Sequence, residues 1–205
     1  MTSNDEAAIV SERDAPNTAS SAAAMLDRLT LVLILAVIAA ILTAAMVMQY
    51  ALAEIPCPLC LLQRVAMFGC GFGLIVQLRT EGSERGTGIA VIFAVLLLVI
   101  SVRQTLLDIA PRPGHDYVGS AVMGLHLPVW SVVIAVALLF GLAARLALFG
   151  GARDAHVTSH LSQAAVQALI LYVIAICAIN FLSVIAQCGV GQCHTFGYQL
   201  LERLK

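Results

Sequence analysis

Charge is what this sequence has least of. Only 11% of its 205 residues are Asp, Glu, Lys or Arg, against 60% hydrophobic residues and a mean hydropathy of +0.96. A soluble domain of this size has no use for so much apolar surface, so the chain reads as an integral membrane protein. The few charges almost cancel, leaving a net charge of −1 and a pI near 6.5, which gives no basic surface for nucleic acid. Flavin and nucleotide motifs are missing, as is the C-x-x-C-H signature of c-type haem attachment, and there is no internal repeat.

What is present is a series of long apolar runs. Residues 29–53 carry no charge and exceed the roughly 20 residues a bilayer core requires. Ala51-Leu52-Ala53 resembles a signal-peptide cleavage site, but the run is longer than an h-region of about 7–15 residues, so an uncleaved first span is expected. Further spans are expected at about 58–78, 88–107, 128–149 and 163–187, with Arg103 and Gln104 near the far end of the third. Gly69, Gly71 and Gly73 in the second span would let a neighbouring helix approach. Asn180 and Tyr172 in the fifth are polar exceptions that would bond to neighbouring helices. The expected fold is an all-α polytopic bundle of five transmembrane helices. Residues 1–28 form a disordered cytoplasmic tail, 29–187 the membrane domain, and 188–205 a periplasmic, cysteine-containing tail.

Five spans put the termini on opposite sides. Arg13, Arg28, Arg79, Arg85, Arg145 and Arg153 then share one side, and Arg112, Arg203 and Lys205 lie fully on the other. Under the positive-inside rule the N-terminus is cytoplasmic. Four of the six cysteines, Cys57/Cys60 and Cys188/Cys193, form two close pairs, and both fall on the outer side, where disulfides form and persist. Cys70 and Cys177 lie inside apolar runs and read as packed thiols.

The chemistry concentrates in Cys57-Pro58-Leu59-Cys60-Leu61-Leu62-Gln63-Arg64. Pro56 and Pro58 stop any incoming helix, and Pro58 suits the first position of a new one. Cys57 then caps that helix and Cys60 lies in its first turn, where the helix dipole favours thiolate. Arg64 follows Cys60 by four residues and shares its face. Cys188 and Cys193 flank Gly189-Val190-Gly191-Gln192, a loop able to close into a disulfide and move. A mobile pair that collects electrons and a fixed pair that passes them on is the natural division. The acceptor available at this depth is a lipid-soluble quinone, whose developing negative charge Arg64 would stabilise.

These residues resemble the DsbB family of bacterial inner-membrane proteins. Cys57-x-x-Cys60 with Arg64 opens the second span, and Gly124-Leu125-His126-Leu127-Pro128-Val129-Trp130 is similar to the family's entry to a later span. The resemblance covers about residues 29–150. It implies a DsbB-like four-helix core and a quinone-dependent thiol oxidase that uses ubiquinone or menaquinone. That enzyme would reoxidise a periplasmic, thioredoxin-fold, DsbA-like protein. It implies that Cys60 contacts the quinone, that Cys57 exchanges with the second pair, and that Arg64 helps bind the quinone, with Gln104 or Arg103 lining the same site; His126, read separately, could lie near it. One feature departs from the best-known members: the loop 108–128 has no cysteine, and Cys188/Cys193 follow a fifth span instead. That pair resembles a relocated second pair, as in a branch with a C-terminal cysteine-rich loop.

Other classes compete. Cys57, Cys60, Cys188, Cys193 and His194 could supply zinc ligands, although Arg64 is an odd neighbour for a cation. A transmembrane reductant carrier would need a redox pair reachable from the inner side, and Cys70 and Cys177 are single and mid-span. A structural membrane subunit would use both pairs as staples. His194 beside Cys193 could lower that thiol's pKa, while His115, His156 and His160 read as ordinary loop residues.

Overall fold

The computed structural model describes residues 18–52, 56–80, 83–109, 121–150 and 163–189. They form five helices, α1 (Thr18–Ala51), α2 (Pro58–Arg79), α3 (Arg85–Ile109), α4 (Leu127–Phe149) and α5 (Gln163–Cys188). Each is long and apolar enough to cross a membrane. The all-α membrane bundle expected from the apolar runs is therefore the observed architecture.

Two details differ from that expectation. The first helix begins at Thr18, inside the stretch 1–28 read as a disordered tail. Ala19 to Leu26 is a run of serine, alanine, methionine and leucine that continues the helix without a breaker. The second detail is a small hairpin in the stretch 108–128 read as loop. Strands β1 (Ala121–Val122) and β2 (Leu125–His126) pair antiparallel around Met123-Gly124. Both turn residues have positive φ, 53° and 80°, the conformation a two-residue hairpin needs, and glycine supplies the second without strain. The expected tail segments 1–17 and 190–205 lie outside the described residues.

The helices pack through small residues and a shared apolar centre. Leu35, Ile38 and Leu42 of α1 meet Ala66, Cys70 and Leu74 of α2, with Ala90, Ala94 and Leu97 of α3, Ala135 and Leu142 of α4, and Val173 of α5. The pairing of α2 with α3 is the closest in the bundle. A Cβ added at Gly73 would sit 2.5 Å from the Ala90 nitrogen, and one at Gly86 would strike the Gln77 backbone. Two backbones this near leave room only for glycine, so the glycine run in the second span is a packing device. Leu33, Phe72, Ile92, Phe140 and Leu182 face outward, as lipid-facing side chains do.

The two ends of the bundle differ chemically. At one end Arg145, almost fully buried, holds Asp27 through both carboxylate oxygens at 2.6 and 2.9 Å and Glu84 at 2.7 Å. These bonds tie the start of α1 and the α2–α3 turn to α4. The other end carries the ends of α1, α3 and α5 with the starts of α2 and α4, and the cysteine pair sits there.

Candidate active site

The start of α2 is built by its cysteines and prolines. Cys57 has extended backbone angles, φ −71° and ψ 161°, and is the N-cap; Pro58 occupies the first helical position. The Cys57 Sγ accepts the backbone N–H of Cys60 at 3.2 Å, doing with sulfur what a serine oxygen does at other N-caps. This fold of the chain brings the two sulfurs to 2.7 Å, both as free thiols. Cys57 is buried and Cys60 half-buried, so Cys60 is the more accessible of the two. The Cys57 thiol, just outside the span, is pushed well above the usual thiol range, first by its hydrogen bond with the Cys60 sulfur and then by burial. Negative charge on the Cys57 sulfur is therefore disfavoured.

A chain of buried amides and hydroxyls runs to these sulfurs from two other helices. Ser131 Oγ of α4 donates to Gln63 Oε1 at 3.2 Å. Gln63 Nε2 donates to Gln104 Oε1 at 2.8 Å and to Ser101 Oγ at 3.3 Å. Gln104 Nε2 of α3 then donates to the sulfurs of Cys57 and Cys60, 3.3 Å from each. The bonds from Ser131 through Gln63 to Gln104 run in one direction, toward the sulfurs, so they polarise the last N–H in their direction, where negative charge develops in thiol chemistry. Gln104 was an expected site residue. Gln63 was not singled out, although it lies three residues after Cys60 on one helical face and is polar within an apolar run.

Arg64 lies one turn deeper and is 7% exposed. Its guanidinium donates to Gln49 Oε1 at 2.7 Å, Asn180 Oδ1 at 3.3 Å and the Ala45 carbonyl at 3.1 Å. These acceptors are neutral. They solvate the cation inside the bundle without cancelling its charge, and an electrostatic interaction links it to Cys60. Arg64 is thus an interior residue of the bundle and does not reach out to the headgroups.

Residues 27–116 match the family model for disulfide bond formation protein DsbB. Over this segment, which is less than half of the chain, the protein is similar to the DsbB family. The DsbB match takes in most of α1, from Asp27 onward, the whole of α2 and α3, the cysteine pair, Arg64 and Gln104, and ends before α4 and α5. Comparison with curated proteins and with solved structures gave no match.

The remaining expected residues fall into three groups. Arg103 is exposed, on the side of α3 away from its buried neighbour Gln104. His126 is exposed at the N-cap of α4, without a side-chain capping bond. Cys188 ends α5, buried and disulfide-bonded. Its neighbour Gln187 donates from Nε2 to the Pro56 carbonyl at 2.8 Å, which brings the end of α5 against the residue preceding Cys57. Cys193 and His194 lie outside the described residues. Among the described residues no three His, Cys, Asp or Glu side chains converge as metal ligands would, and two of the five residues of the zinc reading lie beyond them.

Asn180 and Tyr172 bond to other helices as their polarity foretold. Asn180 accepts from Arg64, and the Tyr172 hydroxyl lies 2.7 Å from Thr43 Oγ1 of α1. Gln49, Tyr50 and Ser183 complete the polar cluster around Arg64. Gln49 Nε2 and the Tyr50 hydroxyl both donate to Ser183 Oγ, at 2.8 and 3.0 Å. Sequence reasoning did not single out these three.

Proposed function

We propose that this protein is a quinone-dependent thiol oxidase that reoxidises a DsbA-like dithiol protein at the outer face of a bacterial inner membrane. The observation that carries the reading is the Cys57–Cys60 pair at the mouth of a membrane helix, with the Gln104 N–H on both sulfurs and the Arg64 cation one turn below. A dithiol without a directed environment is a common feature. One with donors aimed at both sulfurs and a buried cation beside it is arranged for negative charge on sulfur.

The exchange runs in two steps. The reduced partner's thiolate attacks the Cys188–Cys193 disulfide, and the resulting mixed disulfide is resolved by the partner's second thiol. The partner leaves oxidised and the C-terminal pair is left as a dithiol. One of its thiolates attacks Cys57 of the Cys57–Cys60 disulfide, and Cys60 leaves as thiolate. The second C-terminal thiolate then closes Cys188–Cys193 again and frees Cys57. Two electrons have moved at each stage and no outside oxidant is used.

The donor set suits a quinone, ubiquinone or menaquinone, beside Cys60. When bound, the quinone accepts two electrons and two protons. Cys60 is the accessible sulfur, and Arg64 and Gln104 are the side chains that would hold a ring oxygen. The protein's own part is to keep the proton on Cys57, direct the Gln104 N–H to the sulfurs, and place a positive charge near Cys60 in a water-poor site.

The test is quinone reduction by the purified protein, followed by ultraviolet absorbance, with a reduced DsbA-like protein as donor. Turnover that Cys60→Ser and Cys188→Ser both abolish supports the relay. No turnover with either ubiquinone or menaquinone analogues removes the oxidase reading. Turnover that survives Cys188→Ser keeps the oxidase and removes the C-terminal pair from its path.

A further inference from the structure

We propose that α5 is the arm that holds Cys188 against Cys57, and that Gln187 is its positioning residue; this rests on the relay described above. The observation is a polar stripe on one face of α5. Asn180, Ser183 and Gln187 follow at steps of three and four, so they line one side of the helix. All three are buried, at 0%, 4% and 0% exposure. Each bonds to a different part of the redox end. Asn180 accepts from Arg64, Ser183 accepts from Gln49 and Tyr50, and Gln187 donates to the Pro56 carbonyl.

A helix in lipid has no solvent reason to bury three polar side chains, and each is costly unless bonded. Their common effect is to fix how α5 is rotated and how far it is advanced. A slip of one residue turns the helix by about 100° and moves it about 1.5 Å, which breaks every rung at once.

The last rung has a particular position. It joins residue 187, just before Cys188, to residue 56, just before Cys57, across 131 positions of sequence. Two sulfurs can exchange only if they can meet, and one bond here anchors the backbone next to both. Gln187 also leaves its Oε1 buried without a donor. A leucine or methionine would remove that cost, so what the glutamine contributes is its N–H on Pro56.

The alignment can be measured without any turnover. Full-length protein carrying Cys60→Ser and Cys193→Ser is placed in lipid nanodiscs and oxidised by copper phenanthroline with molecular oxygen. Two thiols, Cys57 and Cys188, are joined as the oxidant takes up two electrons and two protons. The linked peptides are read by mass spectrometry. The expected result is rapid closure with Gln187 present and closure about tenfold slower with Gln187→Met, which keeps the side chain's length but has no donor. In the chain with native cysteines, Gln187→Met should slow turnover driven by the dithiol protein. Turnover driven by a small dithiol that reduces Cys57–Cys60 directly should stay within about twofold of wild type, as should folded yield. Equal closure rates with and without the glutamine overturn the proposal, and so does failure of Cys57 and Cys188 to close when it is present. Glutamine-dependent closure in a protein that reduces no quinone keeps the arm and removes the oxidase reading.

Discussion

The Nε2 group of Gln104 lies 3.3 Å from the sulfur of Cys57 and 3.3 Å from that of Cys60, so one amide serves both members of the pair. Whichever sulfur carries charge during exchange keeps a donor. Gln104→Leu removes that donor and leaves Gln63 Nε2 only Ser101 to bond. Quinone reduction should fall by roughly 10²-fold in kcat, the scale for loss of one aimed donor. Steady-state kinetics check this. An unchanged kcat would mean that the amide chain only packs.

Cys57 is expected to be the protonated member of the reduced pair. Its folded pKa is raised, so at a given pH it holds less thiolate than an unstructured cysteine, and its alkylation should be slower. The measurement is site-resolved iodoacetamide labelling of the reduced protein between pH 7 and 10, with peptides quantified by mass spectrometry. Labelling of Cys57 in the folded chain should stay low through the range where the denatured chain, near its ordinary value of 9.0, is already reacting. Equal pH profiles for folded and denatured chain would contradict it. Cys60→Ser should bring the folded profile down toward the ordinary one, because its sulfur is the first cause of the shift.

Much of this site was legible in the sequence, and the limits are physical. Pro56 and Pro58 announce where α2 starts, and a helix start fixes the relation of Cys57, Cys60 and Arg64 through local geometry alone. Gln104 could be placed near the same depth because it ends the third span. The partners of Arg64 were harder. Gln49, Asn180 and Ser183 come from α1 and α5, and their meeting depends on how those helices rotate about their axes. Hydrophobic runs in a membrane protein carry little information about rotation, because lipid-facing and core-facing residues are both apolar. The hairpin at 121–126 escaped for a different reason: each strand has two residues, too few for an alternating pattern.

Arg64 should tolerate lysine poorly. Its planar fork reaches Gln49, Asn180 and the Ala45 carbonyl together, which a single ammonium cannot reproduce. Arg64→Lys keeps the charge and loses the fork, so the quinone KM should rise roughly tenfold while some kcat remains. Arg64→Leu loses the charge as well and leaves buried acceptors without this donor, at about 1–3 kcal/mol for each. It should therefore lower both the melting temperature and the turnover. Thermal melts and kinetics on the two variants separate the contribution of charge from that of geometry.

The opposite end of the bundle offers a control in which stability and chemistry part company. Arg145 is 4% exposed and bonds Asp27 and Glu84, whose side chains are 21% and 23% exposed. Arg145→Met removes the cation and leaves two partly buried carboxylates facing each other. Loss of one partner from a buried pair costs about 3–5 kcal/mol, and the partial exposure of these carboxylates puts the expected loss near the lower figure. Raising salt should recover little of it, because interior pairs are screened weakly. The cysteine pair lies at the opposite end of the bundle from this cluster, so quinone reduction per folded molecule should stay within about twofold of wild type. A melting temperature lowered by several degrees with intact turnover would show that the cluster holds α1, α4 and the α2–α3 turn together and has no part in electron transfer. Turnover lost in step with the melting temperature, in protein still folded at the assay temperature, would instead mean that packing at one end sets the sulfur geometry at the other.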